Sequence, residues 1–276
     1  MNVRAVLFDL GGTLWSPFGV LGRDEALRLA SQAAIKRLQD AGVKELPETA
    51  VETLMESVSL RLAGLRGHSD GHLARPVVKP ATGDAVGPTA AASQAGLEDL
   101  REVDFQEVFL KSVGRLGVTL SAEDARAMSS AFACDLDGHY QVFPDVIPAL
   151  SRLRQEFPGL KVGIVSNTSI PEQVIDRHVN EAGIQAFTDF RVFSSTVGWR
   201  KPHRAIYAKA LELAGTAPED TVFVGDRLLE DVIGPKSMGM KALLRTHGDP
   251  VPDDVNACDA VISDLRYLVE VLPRIS

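Results

Sequence analysis

The chain has 276 residues, 45% of them apolar and 24% charged, which excludes a collagen-like, coiled-coil or wholly disordered protein and allows a core without disulfides. Against 37 Asp and Glu stand 29 Lys and Arg, a net charge of −8, and an acidic surface repels phosphate backbones, which argues against a general nucleic-acid binder. Cys134 and Cys258 lie far apart, outside any C-x-x-C spacing, and suit a reducing compartment. No stretch approaches the roughly 20 apolar residues of a membrane span. The apolar run from Val3 leaves no room for a signal peptide. The expectation is a cytoplasmic protein with no nucleic-acid and no membrane partner.

In chain order, the first apolar run is Val3–Phe8. Helical spacing follows: Leu27, Ala30, Ala34, Leu38 and Ala41 step by three or four up to Gly42, and Val51, Leu54, Met55, Val58 and Leu62 share one face after Pro47. Residues 81–96 hold six Ala, three Gly and no Leu, Ile or Phe, and are expected to be a mobile loop. A third helix is expected from about Leu97, and a fourth after Ser121, whose S-x-x-D pattern to Asp124 reads as a cap. Short apolar runs then recur at Leu160–Val165, Phe190–Phe193, Thr221–Val224, Lys241–Leu244 and, more weakly, Ala260–Ile262. Near-continuous apolarity suits strands buried on both faces of a parallel sheet. Between them, Ser169-Ile-Pro-Glu172 reads as a helix start ahead of Val174, Ile175, His178 and Val179. After Pro202, Ile206, Ala210 and Leu213 are helically spaced, and Leu265, Leu268, Val269 and Leu272 close the chain.

The fold class is therefore α/β, a doubly wound parallel sheet with a helical cap domain. Residues 1–16 and 143–276 would form the α/β core, and 17–142 the cap. An insertion just after the first strand sits over the carboxyl edge of the sheet, where open α/β sheets bind ligands.

Four groups of polar residues stand at the ends of these strands. Asp9 precedes Gly11-Gly12-Thr13, and is either a carboxylate facing a closely approaching ligand or a turn residue. Ser166-Asn167 stands ahead of a helix, as an anion site or an ordinary turn. Lys201, in Gly198-Trp-Arg-Lys-Pro202, opposes a helix dipole, so it is either an anion's partner or a solvated lysine. Asp226 and Asp231 would add to Asp9 a carboxylate cluster suited to Mg²⁺, or serve as a cap and a surface charge.

Together, Val6-Leu-Phe-Asp-Leu-Gly-Gly-Thr-Leu14, Val162-Gly-Ile-Val-Ser-Asn167, Gly198-Trp-Arg-Lys-Pro202 and Val224-Gly-Asp-Arg-Leu-Leu-Glu-Asp231 resemble the motifs of the haloacid dehalogenase-like hydrolase superfamily. Phe143-Pro-Asp-Val-Ile-Pro-Ala-Leu150 is similar to the segment where such chains return from a helical cap. The resemblance implies a Rossmann-like core and a phosphatase that releases phosphate from a small phosphorylated metabolite. Asp9 would attack phosphorus, and Mg²⁺ would be held by Asp9, the Gly11 carbonyl and Asp226. Ser166, Asn167 and Lys201 would bind the phosphoryl oxygens. Thr13 and Asp231 would support the site, and Lys201 would also serve catalysis.

Where the family usually has a second Asp, as the acid and base, this sequence has Gly11. Glycine has no proton to transfer, and such catalysis is worth about 10²–10⁴-fold. Two alternatives follow. One is carbon–phosphorus cleavage through a cap lysine, with Lys36, Lys44 and Lys79 available; the other is a phosphate-binding protein with impaired turnover. Carbon–halogen hydrolysis fits less well. His68 and His72 are spaced like metal ligands, but glycines beside them favour a loop. Asp135, Asp137 and His139 form a hinge or a substrate contact. Trp15 and Arg200 line the entrance or, respectively, pack in the core and form a surface salt bridge. Neither the substrate nor an oligomeric state is readable.

Overall fold

A computed structural model describes residues 2–63, 100–249 and 257–275. Its centre is a six-stranded parallel sheet of order β5-β4-β1-β6-β7-β8. The strands are β1 (Ala5–Phe8), β4 (Lys161–Ser166), β5 (Phe190–Phe193), β6 (Thr221–Gly225), β7 (Lys241–Arg245) and β8 (Ala260–Ile262). All four residues of β1 are fully buried, as its unbroken apolar sequence requires. Val6 and Phe8 face one layer with Val162, Ile164, Val222 and Val224, while Leu7 faces the other with Val165, Val192 and Phe223. The chain leaves β1 for β4 and β5, then returns across β1 to β6. The order therefore reverses beside β1, which opens a crevice at the carboxyl ends of β1, β4 and β6.

Among the described residues, four longer helices fill the interval between β1 and β4 before the chain turns back: α1 (Arg23–Asp40), α2 (Ala50–Ala63), α3 (Phe105–Gly114) and α4 (Ala122–Asp137). They share a core of Leu27, Leu38, Leu54, Phe109 and Phe132, apart from the cores that flank the sheet. A two-residue antiparallel ribbon joins the ends of this helical layer, with β2 (Trp15–Ser16) paired to β3 (Gln141–Val142).

Gly42, at φ 95°, follows α1 as its spacing predicts, but Ala41 is the exposed cap of that helix and not part of its buried face. The Ser121 hydroxyl accepts from the Asp124 N–H at 3.1 Å and caps α4. α3 begins at Phe105, where the Asp104 carboxylate accepts from the backbone of Gln106 and Glu107. The expected helix start near Leu97 and the loop at 81–96 lie outside the described residues.

Helix α5 (Val146–Glu156) and the C-terminal turns cover one face of the sheet, and α8 (Arg204–Ala214) covers the other. Two expectations are corrected here. Ser169 does not cap α6 (Glu172–Glu181): Pro171 holds that position, and the Ser169 hydroxyl points to Glu102 instead. Leu213 is 43% exposed, because Ile206, Tyr207, Ala210 and Ala214 already fill the buried face of α8. The other α-helical segments among the described residues are, in chain order, α7 (Ser194–Val197), α9 (Gly234–Ser237) and α10 (Leu268–Val271). No described helix is long and apolar enough to cross a membrane.

Candidate active site

Each strand end at the crevice contributes one part of the site. Phe8 pairs with Ile164 on one side and Val224 on the other, so the residues that follow meet at the same edge. Asp9 extends β1 by one more bond, its N–H donating to the Val224 carbonyl at 2.9 Å, and its side chain is buried. Lys201 Nζ lies 2.6 Å from Asp9 Oδ1 and 2.7 Å from Asp231 Oδ1, inside the protein. Ser166, at the end of β4, donates to the same Asp9 Oδ1 at 3.1 Å. The Thr13 hydroxyl is 3.1 Å from Asp226 Oδ1 and 3.5 Å from Asp9 Oδ2. The two oxygens of Asp9 are thus distinguished, with Oδ1 toward Ser166 and Lys201 and Oδ2 toward Thr13, whose hydroxyl also reaches Asp226.

Asp231 is fully buried and is no surface charge. A π-helical turn over Leu228–Ile233 carries it back under the end of β6, where its Oδ2 accepts from the Arg227 N–H at 2.9 Å. The turn needs glycine at 225, since a Cβ there would collide with the Asp231 carboxylate. Gly12 is equally constrained: its φ is 90°, and a Cβ would strike Asp226. Gly11 differs from both. A Cβ at that position would meet nothing nearer than Pro17 Cγ at 3.9 Å, so the backbone leaves room for a side chain.

Asp9, Asp226 and Asp231 each offer an oxygen, and these oxygens lie within 4.8 Å of one another. One ammonium, Lys201, pairs with Asp9 and Asp231 and leaves Asp226 without an ion pair among the described residues. The imbalance shows in the acidities. Burial, reinforced by the charge of Asp9, raises the Asp226 pKa to about 6. Burial, with Asp9 and Asp226 adding repulsion against the pull of Lys201, raises that of Asp231 to about 7. Burial alone would lower the Lys201 pKa, but the charges of Asp231 and Asp9 outweigh it and raise it. An all-oxygen cluster with uncompensated negative charge fits a hard divalent cation such as Mg²⁺.

The site opens into a cavity of about 190 Å³. Its polar wall includes Ser166, Asn167, Ser169, Arg200 and Arg227, and its apolar wall includes Phe18, Leu62, Phe105 and Leu136. Trp15 also lines it, while packing its buried ring 4.5 Å from Tyr140. Arg200 forms a salt bridge as well as lining the cavity, with Glu102 at 2.8 Å. Asp137 lies at the cavity edge, paired with His178 at 2.6 Å. Asp135 instead pairs with Arg37. Lys36 is exposed and paired with Asp40, Lys44 is exposed, and neither lines the cavity. Lys79, His68 and His72 lie outside the described residues.

Several supporting groups carry no motif in the sequence. The guanidinium of Arg245, at the end of β7, donates to the Thr13 carbonyl and, at 2.8 and 2.9 Å, to both oxygens of buried Asp145. His247 Nε2 sits 2.6 Å from the Gly12 carbonyl. These contacts fix the Gly11–Thr13 loop from the far side, across more than two hundred residues of chain. The pairs form only through the fold, so sequence spacing carries no trace of them.

Comparison with known proteins agrees with this architecture. The chain is 32% identical over 134 residues to a glyceraldehyde 3-phosphate phosphatase of Pyrococcus furiosus, a stretch covering 48% of this chain and 54% of the relative. It is 29% identical over 188 residues to a phosphoserine phosphatase of Thermus thermophilus, covering 67% and 70%. The match thus spans little more than half the length of the archaeal relative. Among solved structures, a 2-haloacid dehalogenase from Pseudomonas syringae superposes with a TM-score of 0.66 at 21% identity, covering 99% of this chain and all of the other. A HAD phosphatase from Thermococcus onnurineus gives 0.57 at 24% identity, covering 98% of each. These two likenesses show the fold. The sequence model of the haloacid dehalogenase-like hydrolases matches residues 3–239, and the chain belongs to that family.

Proposed function

We propose that the protein is a Mg²⁺-dependent phosphatase acting on a small phosphorylated metabolite, with Asp9 as its nucleophile. The observation that carries the reading is the division of labour around Asp9. One of its oxygens faces the anion-binding groups Ser166 and Lys201, and the other faces the Thr13 hydroxyl, which also bonds Asp226. Phosphatase relatives support it. The helices of residues 17–142 would form the cap and supply the apolar wall that meets the organic part of the substrate.

Asp9, the Gly11 carbonyl and Asp226 would hold Mg²⁺, with Thr13 fixing both carboxylates. When bound, the ion offsets the repulsion between a carboxylate and a phosphate dianion. Asp9 Oδ1 forms a bond to phosphorus as the bond to the leaving-group oxygen breaks, and that oxygen takes a proton. Water then attacks phosphorus, the Asp9–phosphorus bond breaks, and inorganic phosphate leaves. Ser166, the Asn167 amide and Lys201 would bind the phosphoryl oxygens, where charge spreads in the transition state. Asp231 holds Lys201 in place from below. With glycine at position 11, the proton must come from elsewhere. Among the described residues lining the cavity, the acidic side chains besides Asp9 are Asp137 and Glu230.

The test is phosphate release from a panel of phosphomonoesters with Mg²⁺ present. Activity should vanish in Asp9→Asn and in excess chelator. No release across a broad panel, or release that survives Asp9→Asn, overturns the reading.

A further inference from the structure

Glu102 lies just ahead of α3, outside every recognised motif and outside the cavity lining, yet its side chain is only 2% exposed. A buried carboxylate is costly unless its oxygens are saturated with donors. Here they are. Arg200 Nη1 donates to both oxygens, at 3.0 and 2.8 Å, and Ser169 Oγ donates at 2.9 Å. The Val103 N–H adds a bond at 3.0 Å, and the Ser194 hydroxyl adds another. Ser194 Oγ in turn accepts from the Thr168 N–H at 2.8 Å.

Apart from the neighbouring Val103 N–H and the Ser194 hydroxyl at the start of α7, these donors come from the two loops that carry the anion-binding groups. Ser169 and, through Ser194, Thr168 belong to the loop after β4, which follows Ser166 and begins with Asn167. Arg200 adjoins Lys201 in the loop after α7. The backbone repeats the connection: the Glu102 N–H donates to the Gly198 carbonyl at 3.0 Å, and the Arg200 N–H to the Leu100 carbonyl at 2.8 Å. Arg101 pairs with Trp199 as an antiparallel bridge, its guanidinium 4.8 Å from the indole ring. Arg200 spends only Nη1 on Glu102, and no described residue accepts from its Nε or Nη2.

We propose that Glu102 is a positioning residue: from the helical layer it clamps both anion-binding loops and sets Arg200 at the cavity wall, so that Lys201, Ser166 and Asn167 meet Asp9 in register. The inference rests on the phosphatase reading for its kinetic consequence, but not for its structural one. Misplacing catalytic groups by about an ångström costs up to about 100-fold. Glu102→Ala should therefore lower kcat/KM by about 10–100-fold, chiefly in kcat, because the displaced groups act on the transition state.

The experiment compares wild type, Glu102→Ala, Glu102→Gln, Arg200→Ala and the Glu102→Ala/Arg200→Ala double variant, by steady-state phosphate release and by amide hydrogen exchange. Support consists of a kcat loss in Glu102→Ala, a smaller loss in Glu102→Gln, and a double variant less impaired than the product of the two single losses. The Thr168 and Arg200 amides should also exchange faster in Glu102→Ala than in wild type. Should Glu102→Ala fail to fold, the near-isosteric Glu102→Gln carries both readouts. Unchanged kcat/KM and unchanged exchange in the folded variants overturn the proposal. If wild type releases no phosphate, the functional reading fails by itself, and faster or unchanged exchange still decides whether Glu102 holds the loops.

Discussion

The Asn167 side chain and the Lys201 backbone exchange two hydrogen bonds, from Nδ2 to the Lys201 carbonyl at 3.0 Å and from the Lys201 N–H to Oδ1 at 2.7 Å. Asparagine alone offers a donor and an acceptor in that arrangement at this reach. Asn167→Ala should lose both, at about 1–2 kcal/mol of stability in all. With Lys201 less well aimed, kcat should fall about tenfold or more. Urea unfolding and initial-rate kinetics on the same preparation check both figures, and unchanged kcat would show that these two bonds do not set the position of Lys201.

Lys201 is the counter-charge of two buried carboxylates. Removing one partner from a buried ion pair costs about 3–5 kcal/mol, since the remaining charges stay buried and unpaired. Lys201→Ala should show that loss in chemical denaturation, together with a collapse of phosphate release. Lys201→Arg should restore little, because a planar fork cannot take the place of a point ammonium between Asp9 Oδ1 and Asp231 Oδ1.

Stability should depend on pH in a way that the cation reverses. Aspartates in the unfolded chain ionise near pH 4, whereas in the folded protein Asp226 keeps its proton to about 6 and Asp231 to about 7. Between those limits the folded state binds more protons than the unfolded one, so this contribution to stability falls as pH rises from about 4 to about 7. Thermal melts in chelator should show the decline, and Asp226→Asn should flatten it. Added Mg²⁺ should raise Tm most at or above neutral pH, where the carboxylates are charged. A metal response that is equally large at pH 4.5 would contradict this account.

Position 11 admits a side chain. If the missing acid limits turnover, Gly11→Asp should raise kcat for substrates with poor leaving groups, toward the roughly 10²–10⁴-fold worth of general acid–base catalysis. Esters with good leaving groups should gain little. Equal gains for both would trace the effect to metal binding, which calorimetry with Mg²⁺ alone would detect.

The parts of the site that the sequence displays are those that follow a buried strand. Asp9, Ser166 and Asp226 each come at the end of an apolar run, and a parallel sheet places those ends together. Lys201 stands out by its place before a helix. Ser169 misleads for a physical reason: a serine ahead of a proline-led helix has the composition of a cap, but its hydroxyl is claimed by Glu102, 67 residues away. Leu213 misleads because a helical stripe in sequence leaves its width undetermined, and Tyr207 with Ala210 fills the groove first. The partners that stiffen the site, Glu102 with Arg200 and Asp145 with Arg245, are about a hundred residues apart and obey no local pattern.

β1 lies inside the sheet, bonded along its length to β4 on one side and β6 on the other. A protease nick or a frayed terminus at the molecule's rim therefore leaves the anchorage of Asp9 untouched. Displacing Asp9 itself therefore requires opening the central sheet, so its anchorage should last as long as that sheet stays folded.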